Sequence, residues 1–146
     1  MAARAGRLTV HDLRPLRLRN VTVDARDPRG LAEFYRGLTG WEYTPGHEEV
    51  DPEGDDWLSL QVPGGASRLA FQRSDAAVPP WPGGARVHVD LDVPDLAAAH
   101  EHALACGARP LTGTPAEEGH PDDLFRVYAD PEGHPFCLSS PPLDHR

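Results

Sequence analysis

One strand-and-helix pattern occurs twice in this chain. Each copy opens with a strand of alternating residues, Val21–Asp24 in the first and Val89–Asp92 in the second, that leads to an aspartate able to cap a helix. The two capping residues, Asp27 and Asp95, are 68 positions apart. Because one such unit cannot bury its apolar face alone, two copies are expected to pack together. The repeat therefore predicts two similar modules with a functional site between them.

Both predicted helices carry start and stop signals. The first begins after Asp27, has Pro28 at its first position and ends at Gly40, and the second runs from Asp95 to Gly107. Three short strands are expected after each helix, at 42–44, 57–62 and 68–73 in the first module and at 109–112, 124–128 and 135–139 in the second. Each module is thus βαβββ, and the fold class is α+β.

The segments between the periodic stretches give the domain limits. Residues 1–15 lack periodicity and are expected to form a flexible arm, and the proline- and glycine-rich stretch 76–85 is expected to be a linker. The modules are then residues 16–75 and 86–141, followed by a tail at 142–146.

Composition excludes several classes of function. Fourteen basic residues against 23 acidic ones give a net charge of −9, which disfavours nucleic acid and anionic membrane surfaces as partners. The sequence has no apolar run of signal-peptide or membrane-span length, so a cytoplasmic protein is expected. Cys106 and Cys137 are too few for a disulfide framework, and reduced thiols are expected.

Three motifs resemble the vicinal oxygen chelate superfamily, and most closely its glyoxalase-like and bleomycin-resistance-type proteins. They are Asp-Pro-x-x-Leu-Ala-x-Phe-Tyr at 27–35, Leu-Thr-Gly-Trp-Glu at 38–42 and the turn Asp-Pro-Glu-Gly-His-Pro-Phe at 130–136. The resemblance covers residues 16–141 and implies a concave, eight-stranded mixed sheet around a cleft. It does not name a reaction, because the superfamily includes lyases, dioxygenases, isomerases, thiol transferases and drug-sequestering proteins. It also implies a homodimer.

The resemblance further implies a metal site whose expected ligands are only partly present. Metal-dependent relatives carry a histidine seven residues before each capping aspartate and a glutamate in the last strand of each module. His88 fits this pattern, whereas Asn20, Cys137 and Gln72 stand at the other positions, with Phe71 the alternative to Gln72. Neutral amides and a thiol are poor ligands for a hard divalent ion, so no cofactor is expected. The open alternative is a zinc or copper site formed by His88, Asp90 and Cys137.

Strand alternation predicts the rest of the cleft lining. Thr22 shares a strand face with Asn20, and Trp57 and Ser59 should face the cleft because Leu58 and Leu60 pack on the helix. In the second module the same argument places Arg126 and Tyr128 in the cleft, with Phe125 and Val127 in the core. Trp57 has core packing as its alternative, and Arg126 an ion pair with Asp90.

Two functions from different classes fit these residues. The favoured one is metal-independent binding of a small aromatic or amphipathic molecule, with Trp57 and Tyr128 as walls and His88, Asp90 and Arg126 fixing its orientation. The other is an enzyme of the lyase, isomerase or dioxygenase type that uses His88 as base or metal ligand. A structural subunit with a vestigial cavity is a third reading.

Overall fold

Two small sheets and two helices make up the described part of the chain. The computed structural model describes residues 18–79, 81, 87–114, 116–119 and 124–140. The predicted arm at 1–15 and tail at 142–146 lie outside these residues, as does most of the second half of the predicted linker.

The elements follow the predicted order. The first module contains β1 (Asn20–Ala25), α1 (Pro28–Thr39), β2 (Trp57–Gln61) and β3 (Arg68–Arg73), and the second contains β4 (Val89–Asp92), α2 (Leu96–Cys106), β5 (Arg109–Pro110), β6 (Phe125–Ala129) and β7 (Pro135–Ser139). In the described residues they form a three-stranded sheet, β1-β3-β2, and a four-stranded sheet, β4-β7-β6-β5. The α+β fold of two related modules is confirmed.

One predicted strand is reduced to a single bridge. Segment 42–44 contributes only the antiparallel pair Tyr43 and Leu60. Beyond that bridge, the hydroxyls of Thr44 and Ser59 are hydrogen-bonded to each other at 2.7 Å. The Nδ1 atom of His47 accepts a hydrogen bond from the Ser59 amide at 3.0 Å. Side chains therefore replace part of the ladder beside β2, which explains why the first sheet has three strands.

Helix boundaries match the capping signals. The Asp27 carboxylate accepts from the Gly30 amide and the Asp95 carboxylate from the Ala98 amide, so both are N-caps. Gly40 and Gly107 end the helices with left-handed φ angles of 74° and 111°, which glycine adopts without steric cost.

The two helices contribute unequally to the core. Helix α1 buries Pro28, Leu31, Ala32, Phe34 and Tyr35, whereas α2 buries only Ala103. Leu104 of α2 is exposed. Most of the apolar burial that stabilises the domain lies around α1.

Aromatic side chains of α1 join the two modules. The ring of Phe34 lies 5.9 Å from that of Phe136 in β7, and the ring of Tyr35 lies between Phe71 of β3 and Phe136, at 5.7 and 6.0 Å. Since α1 belongs to the first module and β7 to the second, these contacts form one shared core.

A buried carboxylate completes the junction. The Asp130 side chain is fully buried and accepts from the Tyr35 hydroxyl at 2.8 Å and from the backbone amides of Glu132 and His134 at 2.9 and 3.0 Å. The Nδ1 atom of His134 lies 3.1 Å from both Asp130 oxygens. Nearby, the Glu132 carboxylate accepts from the Asp27 amide at 2.8 Å. The turn between β6 and β7 is thereby fastened to α1.

Tyr35→Phe should lower the free energy of unfolding by about 1–3 kcal/mol, because it removes one donor from a buried carboxylate and leaves the ring in place. Tyr43→Phe is the matched control, since the Tyr43 hydroxyl donates to the exposed Glu33 carboxylate at 2.7 Å. Urea denaturation of both variants tests this. Equal effects would contradict a special role for the buried bond.

Stability should also depend on the protonation of His134. Burial lowers the pKa of His134, but its hydrogen bond to Asp130 and the negative charge of that residue outweigh burial, so the pKa is raised above 6.5. A raised folded-state pKa means that the ion pair stabilises the protein fully below pH 6.5 and stops doing so as the pH rises through the folded-state value. The difference in unfolding free energy between the wild type and His134→Asn should therefore shrink from pH 6 to pH 9. A constant difference would contradict this assignment.

Candidate functional site

The outward faces of the two sheets, which point away from the helices, carry the predicted site residues of the first module. Cross-strand partners point to the same face of a sheet, and the strand register therefore places five predicted residues on this face together with Ala70. Ala70 pairs with both Thr22 and Ser59, Gln72 pairs with both Trp57 and Asp24, and Asn20 pairs with Arg68. Phe71 lies on the other face in the core. Gln72 therefore faces outward, whereas Phe71 does not.

Two of these residues are poorly placed to line a cleft. Ser59 is fully buried beneath Thr44 and His47, so its hydroxyl is not available to a ligand. Trp57 is half exposed and lies edge-on to the His47 ring at 5.6 Å. Both are on β2, two strands from the second module, which corresponds to about 10 Å at ordinary strand spacing.

The prediction for β6 is wrong. Tyr128 is fully buried on the helix side, where its ring stacks on Phe136 at 5.5 Å and its hydroxyl is 2.8 Å from Nδ1 of His100. Arg126 lies on the same side, with a guanidinium nitrogen 3.1 Å from that Nδ1 atom and another donating to the Thr112 carbonyl at 3.3 Å. Phe125 and Val127 therefore face outward. The apolar residues of this strand did not identify its core face, because Tyr128 is buried although it carries a polar hydroxyl. His100 of α2 provides the hydrogen-bond partner that this hydroxyl needs.

One group of predicted residues does come together. His88, Asp90 and Cys137 lie on the outward face of the second module, and their potential ligand atoms all lie within 4.8 Å of one another. Nε2 of His88 is 3.2 Å from the Asp90 carboxylate. Cys137 is the cross-strand partner of Asp90, which brings thiol and carboxylate to the same level of the sheet. We call these three residues the His88 cluster.

The Cys137 thiol is held in its neutral form. Its pKa is raised to about 11, mainly by burial and in addition by the hydrogen bond to Asp90 and the charge of that carboxylate. A thiol with this pKa is almost entirely protonated at neutral pH and is a weak nucleophile. Within the cluster it acts as a hydrogen-bond donor to Asp90.

The first module has no equivalent of this cluster. Thr22 lies 68 positions before Asp90, and its cross-strand partner is Ala70, which has no donor atom. The sequence alignment that equated Gln72 with Cys137 is therefore wrong, because Gln72 pairs with Asp24, as Ser139 pairs with Asp92 in the second module.

Asn20 also lies away from the His88 cluster. Strands β1 and β4 run in opposite directions along the boundary between the modules, which we call the seam. One cavity there groups Leu18 and Val21 with Asp92 and Val93, and another groups Val23 and Asp24 with His88. Asn20, at the start of β1, thus lies near the end of β4. Its Oδ1 atom is buried and without a hydrogen-bond partner in the part of the chain that the structure describes.

These positions do not fit the metal site that the fold family implies. A hard divalent ion needs several carboxylates and imidazoles converging from both modules. Here one imidazole, one carboxylate and a protonated thiol come from one module, and the other module presents Thr22, Ala70 and a distant Asn20.

Comparison with known proteins identifies the family. The model of the glyoxalase-like domain matches residues 20–139, and the chain belongs to this family. A comparison with curated proteins found no match. Among the described residues, no helix is long and apolar enough to cross a membrane.

Solved structures share the fold at low sequence identity. A fosfomycin resistance protein from Mesorhizobium loti has a TM-score of 0.64 and 14% identity, over 90% of this chain and 96% of its own. A glyoxalase family protein from Enterococcus faecalis has a TM-score of 0.60 and 21% identity, over 86% and 98%. An antibiotic binding protein from Streptomyces sp. CB03234 has a TM-score of 0.56 and 18% identity, over 86% and 96%. At these identities the likeness concerns the fold alone.

Alkylation of Cys137 should be slow and should depend on Asp90. In a Cys106→Ser background at pH 8, iodoacetamide should react with Cys137 about 100-fold more slowly than with a thiol of pKa 9, because the thiolate is correspondingly rarer. Asp90→Asn removes the neighbouring charge and should lower the thiol pKa and speed the reaction. Asp92→Asn, two residues along the same face, should leave the rate unchanged. Equal rates in the two variants would contradict the assigned hydrogen bond.

Proposed function

We propose that this protein binds a small aromatic or amphipathic molecule on its outward face without a metal ion, and acts by sequestration or delivery. One observation carries the proposal: the His88 cluster is confined to the second module, and the first module has Thr22 and Ala70 at the equivalent positions. The His88 cluster places a few polar groups on one module only. This arrangement suits hydrogen bonding to a small ligand better than it suits coordination of a metal ion from both modules.

The chemistry of the cluster suggests what the anchored end of the ligand carries. His88 and Asp90 are both exposed, and Asp90 already accepts a hydrogen bond from the neutral Cys137 thiol. A carboxylate beside an imidazole favours a ligand group that donates hydrogen bonds, such as a hydroxyl or an amine. Thr22, exposed on the facing edge strand, offers a further hydroxyl.

Two structural neighbours support ligand binding in this fold. One is described as an antibiotic binding protein and another as a fosfomycin resistance protein. Since both are under 25% identical to this chain, they support the class of function and leave the ligand unspecified.

The second candidate is an enzyme, and the spacing of the cluster favours it. Three donor atoms within 4.8 Å of one another are compatible with zinc held by nitrogen, oxygen and sulfur with an open fourth position. Without metal, His88 oriented by Asp90 would be the general base. We rank this second because the thiol must lose a proton from a state with a pKa of about 11 before it binds a cation.

We also propose that the protein is a cytoplasmic homodimer. The dimer is supported by the exposed apolar side chains of Leu124 and Phe125 on the second sheet.

Ligand binding at the cluster can be tested with a panel of small aromatic hydroxyl and amine compounds. A compound that raises the melting temperature of the wild type should lose at least about tenfold in affinity in His88→Ala and Asp90→Asn, because each removes one anchoring group. Glu101→Gln, which removes the same charge from an exposed position on α2, is the matched control. Equal loss in the control, or full affinity in both cluster variants, would contradict the proposed site.

Metal content separates the two candidates. Protein purified without chelator should contain no stoichiometric transition metal, and zinc titrated into it should leave the melting temperature unchanged. One zinc per chain, lost in both His88→Ala and Cys137→Ser, would favour the enzyme and overturn metal-independent binding.

A further inference from the structure

We propose that the seam contains a second binding site, which takes an uncharged, mainly apolar small molecule and is separate from the His88 cluster. The site is a cavity of about 650 Å³ between the two modules. This volume lies within the range of pockets that enclose drug-sized ligands, about 300–1,000 Å³.

The cavity exists because the sheets do not join. In the described residues, β1 bonds only to β3 and β4 only to β7, so both strands have an unpaired edge. The modules are held together instead by the aromatic rings around Phe136 and by the buried Asp130, which lie toward the other end of β1. The space at the beginning of β1 and the end of β4 is left unfilled.

Apolar side chains from both modules line this space. They include Val21 of β1, Leu38 of α1, Val89 and Leu91 of β4, and Ala99 of α2, with Trp41 just after α1. All six are only partly buried, although they pack against the core. Because these side chains are partly exposed to water, an apolar ligand that covers them would gain free energy from their burial.

Val89 and Leu91 show that this site is distinct from the His88 cluster. They alternate along β4 with His88 and Asp90 and therefore point to the opposite side of the sheet. Of the cluster, only Asp90 borders the cavity, and His88 and Cys137 do not line it.

The polar groups around the cavity argue for an uncharged ligand. Nε2 of His102 is 2.9 and 3.1 Å from the carbonyl oxygens of Gly37 and Leu38, so this nitrogen is the donor that joins the two helices. Arg68, Asp90 and Asp92 border the cavity with charges of both signs. A charged ligand would gain from one sign and lose to the other, and an apolar body avoids this cost.

The neutral fluorophore N-phenyl-1-naphthylamine tests the site on the full chain. We expect saturable binding of one molecule per chain, with energy transfer from tryptophan that falls in Trp41→Phe and not in Trp57→Phe. Ala99→Phe, which fills the cavity from α2, should weaken binding at least about tenfold. Ala105→Phe places the same ring on the exposed side of α2 and should bind normally.

His88→Ala separates this proposal from the proposed function, because it should leave fluorophore binding intact. If Ala99→Phe fails to fold, Val93→Phe fills the cavity from the end of β4 and should give the same loss. The proposal is overturned by absence of binding to the wild type, by full binding in both filled variants, or by loss of binding in His88→Ala.

Discussion

The buried Asp130 carboxylate is the interaction on which the arrangement of the modules depends. A carboxylate without partners in the core is costly, and this one is stabilised by donors from both modules: the Tyr35 hydroxyl from the first, and backbone amides and His134 from the second. The bond is directional, so it fixes how α1 lies against the turn before β7. Apolar packing between Phe34 and Phe136 alone would hold the modules together without setting this angle so narrowly.

That junction explains where the seam cavity of about 650 Å³ lies. The edge strands β1 and β4 do not pair in the described residues, and the modules are joined mainly at the end of β1 nearest the Asp130 turn. Space remains at the opposite end, lined by Val21, Leu91 and Ala99. The outward face and the seam cavity are thus two consequences of one geometry, in which two sheets meet through helices and turns instead of through a continuous ladder.

Local signals predicted the elements well, whereas contacts between elements were harder to foresee. Asp27 and Gly40 marked the ends of α1 correctly because capping depends on residues close in sequence. The face on which Tyr128 lies depends on His100, which is 28 residues away and supplies the partner for its hydroxyl. The sequence offered Tyr128 and Arg126 as polar cleft residues because nothing in strand alternation reveals such a partner. The counterpart of Cys137 in the first module was likewise hidden in the sequence. Only the pairing of β1 with β3 shows that it is Ala70. The turn at 130–134 was visible in the sequence, but its contact with Tyr35 was not.

The unequal burial of the two helices bears on how the repeated halves have diverged. Helix α1 buries five residues against the shared core, whereas α2 buries a single alanine. In the second half, His88 and Asp90 are exposed and can change without disturbing the core, whereas Cys137 is buried between Phe136 and Leu138. New recognition chemistry at positions 88 and 90 of the second half can therefore arise at small risk to folding. Laboratory evolution of new ligand specificity has its widest scope on the outward face of that second half.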